Sequence, residues 1–169
     1  NAGCYGSDIS QILVSTLALD YQGNLHELKN SDFQFYYRGN KIAKDFIFVE
    51  AVFQAQKSTV EAVSAKINAL NLQREESQPI RAKTGGSTFK NPYPEDATKK
   101  RAWQLIDEIG YRGMSVNDAQ FSQKHCNFMI NTNKAKALDL IELATKAQAE
   151  VKQKTGYNLE LEIKIIGKD

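Results

Sequence analysis

The stretch "DFIFVEAVFQAQKSTVEAVSAKINAL", residues 45–70, changes its hydrophobic period half-way along. In its first part Ile47, Val49, Ala51 and Phe53 alternate with Phe46, Phe48, Glu50 and Val52. A period of two predicts a strand, and because both sets are largely apolar the strand is expected to be buried on both faces. From Ser58 the period lengthens. Ser58 and Glu61 stand at capping-box spacing, and Val60, Val63, Ile67 and Leu70 fall on one helical face, which predicts a helix to about Leu72. A strand that feeds an amphipathic helix within one short stretch makes the fold class mixed α+β.

Upstream, "ILVSTLAL" (12–19) and "NLHEL" (24–28) flank the turn "DYQG" and read as a hairpin. Downstream, "NLQREESQP" (71–79) loses periodicity and ends in proline, so a loop and a domain boundary are expected there. Asp96 is placed at the start of a second helix with Ala102, Leu105, Ile106 and Ile109 on its apolar face and Gly110 as its left-handed terminus. Two short strands, "AQFS" and "NFMIN", precede a third helix. That helix is capped by Thr132 or Asn133, carries Leu138, Ile141, Ala144 and Val151 on one side, and stops at Gly156. In "NLELEIKII" (158–166) Leu159, Leu161, Ile163 and Ile165 alternate with Glu160, Glu162 and Lys164, which predicts a closing strand.

Composition narrows the function classes. Of 169 residues 41% are hydrophobic and 25% charged, as in a globular domain rather than a disordered tail. The formal charge of +2 comes from scattered, nearly balanced groups, so no basic block proposes a nucleic acid or an anionic membrane as partner. No apolar run approaches a membrane span. Cys4 and Cys126 fit no zinc pattern, no metal site is expected, and a reduced cytoplasmic setting is favoured. The opening "NAGCYG", with neither an initiating methionine nor a signal peptide, leads us to expect an N-terminal part beyond this sequence.

Several residues carry chemistry and also have an ordinary structural reading. In "TGGSTFKNP" (84–92) the two glycines let backbone approach a ligand beside Ser87, with Lys90 and Asn91 as donors, yet Gly, Ser, Asn and Pro are also what turns are made of. The glycine spacing is not that of a P-loop. Arg38, in "FYYRGN", suits bidentate binding of a carboxylate, but such an arginine more often packs over an aromatic ring or joins a structural ion pair. Glu160 and Glu162 share one strand face, and periodicity alone does not choose between them. His125 titrates near neutrality, but no triad partner stands near it in sequence, so a structural role is favoured for it and for both cysteines.

In their order and spacing, "NAGCYG", "YYRGN" (36–40), "GGSTFKNP" (85–92), "AWQLIDEIGYRG" (102–113), "FSQKHCNFMIN" (121–131) and "LELEIKIIG" (159–167) resemble the UDP-N-acetylenolpyruvoylglucosamine reductase (MurB) family of peptidoglycan synthesis. The resemblance runs from end to end. It implies a cytoplasmic flavoenzyme in which NADPH reduces FAD and a hydride then passes to UDP-N-acetylglucosamine enolpyruvate, giving UDP-N-acetylmuramate. It further implies that residues 1–73 are the remainder of an FAD-binding α+β domain. Residues 74–169 would be a small α+β substrate-binding domain, with 159–169 a strand returning toward the absent N-terminal part. By the same resemblance Arg38, Ser87 and Glu162 are catalytic, Asn1, Ala2, Gly3 and Gly6 contact the cofactor, and Lys90 and Asn91 contact the substrate. Asn40 stands where the family usually has serine. Two readings from other classes are a non-catalytic UDP-sugar-binding module, or inactive fragment of such an enzyme, and a generic α+β interaction domain.

Overall fold

The structure is a computed structural model that describes residues 1–42, 45–96 and 98–167. Strands and helices mix throughout, as the α+β reading expects, and the chain divides into two compact units, Asn1–Val60 and Glu61–Asp169. This division falls at the first turn of the helix that follows residue 58.

The first unit opens with strands β1 (Gly3–Cys4) and β2 (Ser7–Asp8), which form a minimal hairpin followed by a 3₁₀ turn over Ile9–Gln11. Strands β3 (Leu13–Asp20) and β4 (Leu25–Lys29) are the expected second hairpin. Its turn is fixed by Asp20, whose Oδ1 accepts the amide N–H groups of Gln22 and Asn24 at 3.0 and 2.8 Å. The four-residue helix α1 (Asn30–Phe33) follows, and β5 (Phe46–Phe53) completes an antiparallel sheet of order β4-β3-β5.

The strand at 46–53 is present, but its expected burial is not. Ile47, Phe48, Val49 and Phe53 are each more than half exposed. Among the described residues β5 lies at the sheet edge and pairs only with β3. Within this unit Phe33 of α1 reaches Phe48, with ring centroids 5.8 Å apart, and the buried apolar set is small: Leu13, Ala18 and Phe33. A two-faced apolar strand needs a layer on each side, and the first unit supplies little more than one short helix.

The second unit begins with α2 (Val60–Ser77; Val60 itself closes the first unit), which runs through the segment expected to be a loop. Asn, Leu, Gln, Arg and Glu are all compatible with a helix even without amphipathic spacing, and Pro79 stops it where Gln78 N–H still reaches Arg74 O. No residue of α2 is buried. Strand β6 (Lys83–Ser87) occupies part of what reads in sequence as a turn. It joins β7 (Ser115–Val116), β8 (Ala119–Phe121) and β9 (Phe128–Asn131) in an antiparallel sheet of order β6-β9-β8-β7.

Helix α3 (Ala102–Glu108) starts later than Asp96. Asp96 instead closes a local turn, its Oδ1 accepting the N–H and hydroxyl of Thr98 at 2.9 and 2.6 Å. The helix ends as expected at left-handed Gly110. Gly110 N–H bonds Asp107 O and Tyr111 N–H bonds Ile106 O, a Schellman pair that carries Tyr111 into the core.

Helix α4 (Ala137–Thr155) likewise starts beyond Thr132 and Asn133, because Asn131 Oδ1 gathers the N–H groups of Asn133 and Ala135 into a turn. Asp139 then caps it by accepting Lys136 N–H at 2.7 Å, and it stops at Gly156. Leu143, Ala144, Ala147 and Val151 of α4 close the core against Leu105, Ile106, Phe121 and Met129, while Leu138 is exposed. Truncating any of the large members to alanine costs about 2–5 kcal/mol.

Among its described residues the last segment forms no regular strand. Leu161 makes a single antiparallel bridge to Phe89, Leu159 is buried, and Leu161 and Ile163 pack on the core, so the alternation holds only this far. Ile165 and Ile166 are exposed, and residues 168–169 of the expected strand lie outside the described residues.

Candidate functional site

The candidate residues fall into two groups, one in each unit. In the first, Asn1 ties the start of the chain to the arginine turn. Its Nδ2 donates to Asp8 Oδ2 and Tyr36 O, both at 3.3 Å, and its Oδ1 accepts Ser10 N–H at 3.1 Å. The Ser10 hydroxyl and the Asn1 amide hold the Asp8 carboxyl below its ordinary range, partly offset by desolvation. Tyr5 and Gly6, with φ of 51° and 79°, make the two-residue turn of the β1–β2 hairpin. A Cβ on Gly3 would stand 2.5 Å from Asp8 Cβ, so that glycine serves the hairpin itself, whereas nothing lies within 4 Å of the corresponding point on Gly6.

Arg38 occupies the second central position of a tight turn closed by Tyr36 N–H to Gly39 O at 3.0 Å and Gly39 N–H to Tyr36 O at 3.1 Å. Its φ is 56°, a left-handed conformation that costs a side-chain-bearing residue about 1 kcal/mol. The guanidinium carbon sits 4.8 Å from the Tyr37 ring centroid, so the packing role weighed from sequence is present. Asn40 Oδ1 accepts Ile42 N–H at 3.0 Å and closes the next turn.

In the second unit, pairing between β6 and β9 breaks after Thr84↔Ile130 and resumes at Ser87↔Phe128. The irregularity contains Gly86 at φ 88°, where glycine adopts the conformation without a Cβ penalty. Thr84 Oγ1 spans the break, donating to Met129 O at 2.6 Å and accepting Gly86 N–H at 3.2 Å. Ser87 is half-buried just past the irregularity.

The segment then lies beside the end of the chain. Glu162 N–H donates to Thr88 O at 2.8 Å and Lys90 N–H to Glu160 O at 2.9 Å. Ser87, Lys90, Glu160 and Glu162 are thus neighbours, although 70 residues separate Lys90 from Glu160. The two glutamates also part company: Glu160 has a mostly exposed side chain 3.4 Å from Lys90 Nζ, and Glu162 is half-buried. Asn91 has a structural task, its Oδ1 accepting the N–H of Ala102 at the first turn of α3 at 3.1 Å. A cavity of about 240 Å³ adjoins the glycine segment, lined by Lys83, Thr84, Gly86, Met129, Leu140 and Ile163 among others.

The other titratable candidates are structural. His125 Nδ1 accepts Asn127 N–H at 3.2 Å, its ring meets Phe128 edge-on, and burial lowers its pKa. Cys126 is buried, donates to Asp107 Oδ1 at 3.4 Å, and is pushed up to about 11 by desolvation. Asp107 in turn takes the Arg112 fork at 2.8 and 2.9 Å. Among the described residues no cluster of three or more His, Cys, Asp or Glu side chains is arranged to hold a metal, and no helix is long and apolar enough to cross a membrane. Sequence reasoning missed Thr88 and Asn127, both buried beside Ser87. Polar residues in an apolar run, as in "NFMIN", were the available signal.

A family model described as UDP-N-acetylenolpyruvoylglucosamine reductase, C-terminal domain, matches residues 78–166, more than half of the chain. The chain belongs to this family. The UDP-N-acetylenolpyruvoylglucosamine reductases of Rickettsia bellii and Parvibaculum lavamentivorans are 44% and 43% identical to it over 168 and 167 residues. Each match covers 99% of this chain and 54% or 52% of the relative, so the chain spans about half the length of the curated relatives it matches. The crystal structure of UDP-N-acetylenolpyruvylglucosamine reductase (MurB) from Thermus caldophilus is 27% identical with a TM-score of 0.79, over 96% of this chain and 56% of that one.

Proposed function

We propose that this chain works as part of a cytoplasmic UDP-N-acetylenolpyruvoylglucosamine reductase, an oxidoreductase of peptidoglycan synthesis that uses FAD and NADPH to reduce UDP-N-acetylglucosamine enolpyruvate to UDP-N-acetylmuramate. Family membership supports the reaction. The observation that supports the residue assignment is the lateral pairing of residues 88–90 with residues 160–162, which sets the backbone next to Ser87 beside that of Glu162 from opposite ends of the second unit.

The first unit would contribute to the flavin-binding domain. Ala2 and Gly6 fit such a role, since Ala2 is exposed and the Gly6 backbone is open to a flat ring or a phosphate, while Asn1 and Gly3 shape the hairpin that presents them. Bound FAD, once reduced by NADPH, supplies the hydride.

Addition of hydride to one carbon of the enolpyruvyl double bond leaves an electron pair on the carbon beside the carboxylate, delocalised as an enolate. Arg38 neutralises the carboxylate and the growing charge through its guanidinium. Ser87 Oγ–H delivers the proton to that carbon, closing the new C–H bond, and its oxygen regains a proton from solvent once product leaves, while Glu162 acts beside it as the second catalytic group at the reacting carbon. A hydroxyl is a weak acid, so its use here depends on fixed position in a site that excludes water. Lys90 and Asn91 contact the substrate, Lys90 by exchanging its bond to Glu160.

In the intact protein we expect yellow flavin absorbance and NADPH oxidation that requires the enolpyruvyl sugar nucleotide. A preparation that stays colourless after FAD is added, yet binds the sugar nucleotide by calorimetry, would instead make it a binding module. Ser87→Ala should leave flavin reduction by NADPH unchanged and slow substrate reduction by about 100-fold or more. Equal loss in both half-reactions contradicts the role.

A further inference from the structure

The segment that carries Ser87 is held by a side chain to which the reaction gives no part. β9 begins at Phe128, so beyond Ser87 no regular strand remains to pair with residues 88–90. Asn127 takes the place of one. Its Oδ1 accepts Phe89 N–H at 3.0 Å, its Nδ2 donates to Phe89 O at 2.8 Å, and its own carbonyl accepts Thr88 N–H at 2.7 Å.

One side-chain amide therefore pairs with both polar groups of the Phe89 backbone, as an adjacent strand would. Asn127 is 5% exposed and Phe89 1%, so water does not compete for these bonds. Thr88 adds a second tie on the same side, its Oγ1 accepting Met129 N–H at 3.2 Å. On the opposite edge, Thr88 O and Lys90 N–H hold Glu162 N–H and Glu160 O. Thr88–Lys90 is clamped between Asn127 and the terminal segment, and half-buried Ser87 directly precedes it.

We propose that Asn127 is a positioning residue whose buried amide sets the register of 88–90 and, through it, the placement of Ser87 and Glu162. The inference rests on the reading of those two residues as acting on substrate. The amide is needed for its chemistry and not for its volume: leucine offers neither bond, and an ionised aspartate keeps the acceptor but repels Phe89 O. A protonated aspartic acid restores both an acceptor and a donor in nearly the same shape.

The test uses Asn127→Leu, Asn127→Asp and, in parallel, Ser87→Ala in the intact flavin-loaded protein, with the two half-reactions followed separately. We expect flavin reduction by NADPH to match the parent. Substrate reduction should fall roughly 10- to 100-fold in Asn127→Leu, the scale set by small misplacements of a reacting group. In Asn127→Asp the same step should be slow at neutral pH and recover as pH falls, because burial raises the carboxyl pKa and protonation regains the donor. The parent should show no such recovery.

Independently of flavin and substrate, hydrogen exchange at the amides of Phe89, Lys90 and Glu162 should quicken in the variants while α4 stays protected. Retained substrate reduction and retained protection at 88–90 overturn the inference. Loss of both half-reactions together with α4 protection also overturns it, since that is general destabilisation. If Asn127→Leu fails to fold, the pH recovery of Asn127→Asp decides. Normal substrate reduction in Ser87→Ala overturns the parent reading and this inference with it, whereas an impaired Ser87→Ala beside unimpaired Asn127 variants overturns this inference alone.

Discussion

Asn91 is assigned to the substrate by resemblance and to helix α3 by geometry, and two substitutions separate these roles. Asn91→Ala removes the acceptor for Ala102 N–H at the start of a helix of seven residues. Ala102 is fully buried, so water cannot replace the lost partner. Loss of a helix-start acceptor costs about 1 kcal/mol, and an unsatisfied buried N–H raises this toward 2 kcal/mol. For a unit of this size the melting temperature should fall by about 5–10 °C. Asn91→Asp keeps an oxygen acceptor and adds negative charge where the α3 dipole favours it, so stability should stay within about 0.5 kcal/mol of the parent. The same charge opposes an anionic sugar nucleotide. Thermal unfolding followed by circular dichroism, paired with calorimetric titration of the nucleotide, reads both effects. The expected pattern is instability in Asn91→Ala and weakened binding at parental stability in Asn91→Asp. An unchanged melt in Asn91→Ala refutes the capping role and with it the magnitude worked out above.

Further expectations concern the second unit. Tyr111→Phe removes a buried hydroxyl that donates to Glu150 Oε1 at 2.8 Å and should cost about 1 kcal/mol in urea unfolding. Desolvation pushes the Tyr111 pKa up to about 12 from an ordinary 10, so its contribution is complete below pH 10 and is lost as pH rises toward 12. The phenylalanine variant should lack that part of the alkaline limb. Cys4 is exposed and Cys126 is buried with its thiol pushed up to about 11, so a thiol reagent at pH 8 should label one cysteine in the folded chain and the second only after denaturation. Prompt labelling of both would contradict the buried Cys126–Asp107 bond.

Local pattern made much of this fold legible. The hairpin around Asp20, the apolar face of α3 and the glycine stops at 110 and 156 follow from periodicity and turn chemistry, and each stands where those rules put it. Two failed helix starts share a different cause. Asp96, Thr132 and Asn133 are sound capping residues, but Asp96 turned its side chain to Thr98, and Asn131 captured the chain before Thr132 or Asn133 could start a helix. Sequence does not rank such competing local bonds. The extent of α2 was missed because helix propensity without amphipathicity leaves no periodic signal, and the exposure of β5 because alternation reports faces and not what covers them. Glu160 and Glu162 were equivalent by period, and only their surroundings separate them: Glu160 is mostly exposed beside Lys90, which lies 70 residues away, and Glu162 is half-buried. Asn127 stood out only as a polar residue in an apolar run, and its bonds were not legible, since Phe89 lies 38 residues away.

The backbone at position 38 gives the arginine a second meaning. Glycine, or even asparagine, would fold that turn more cheaply, so a screen that rewards thermal tolerance alone should discard the guanidinium among its earliest changes. On the proposed role of Arg38, selection for turnover would restore it, and the two pressures can be told apart by what each library keeps at this single site.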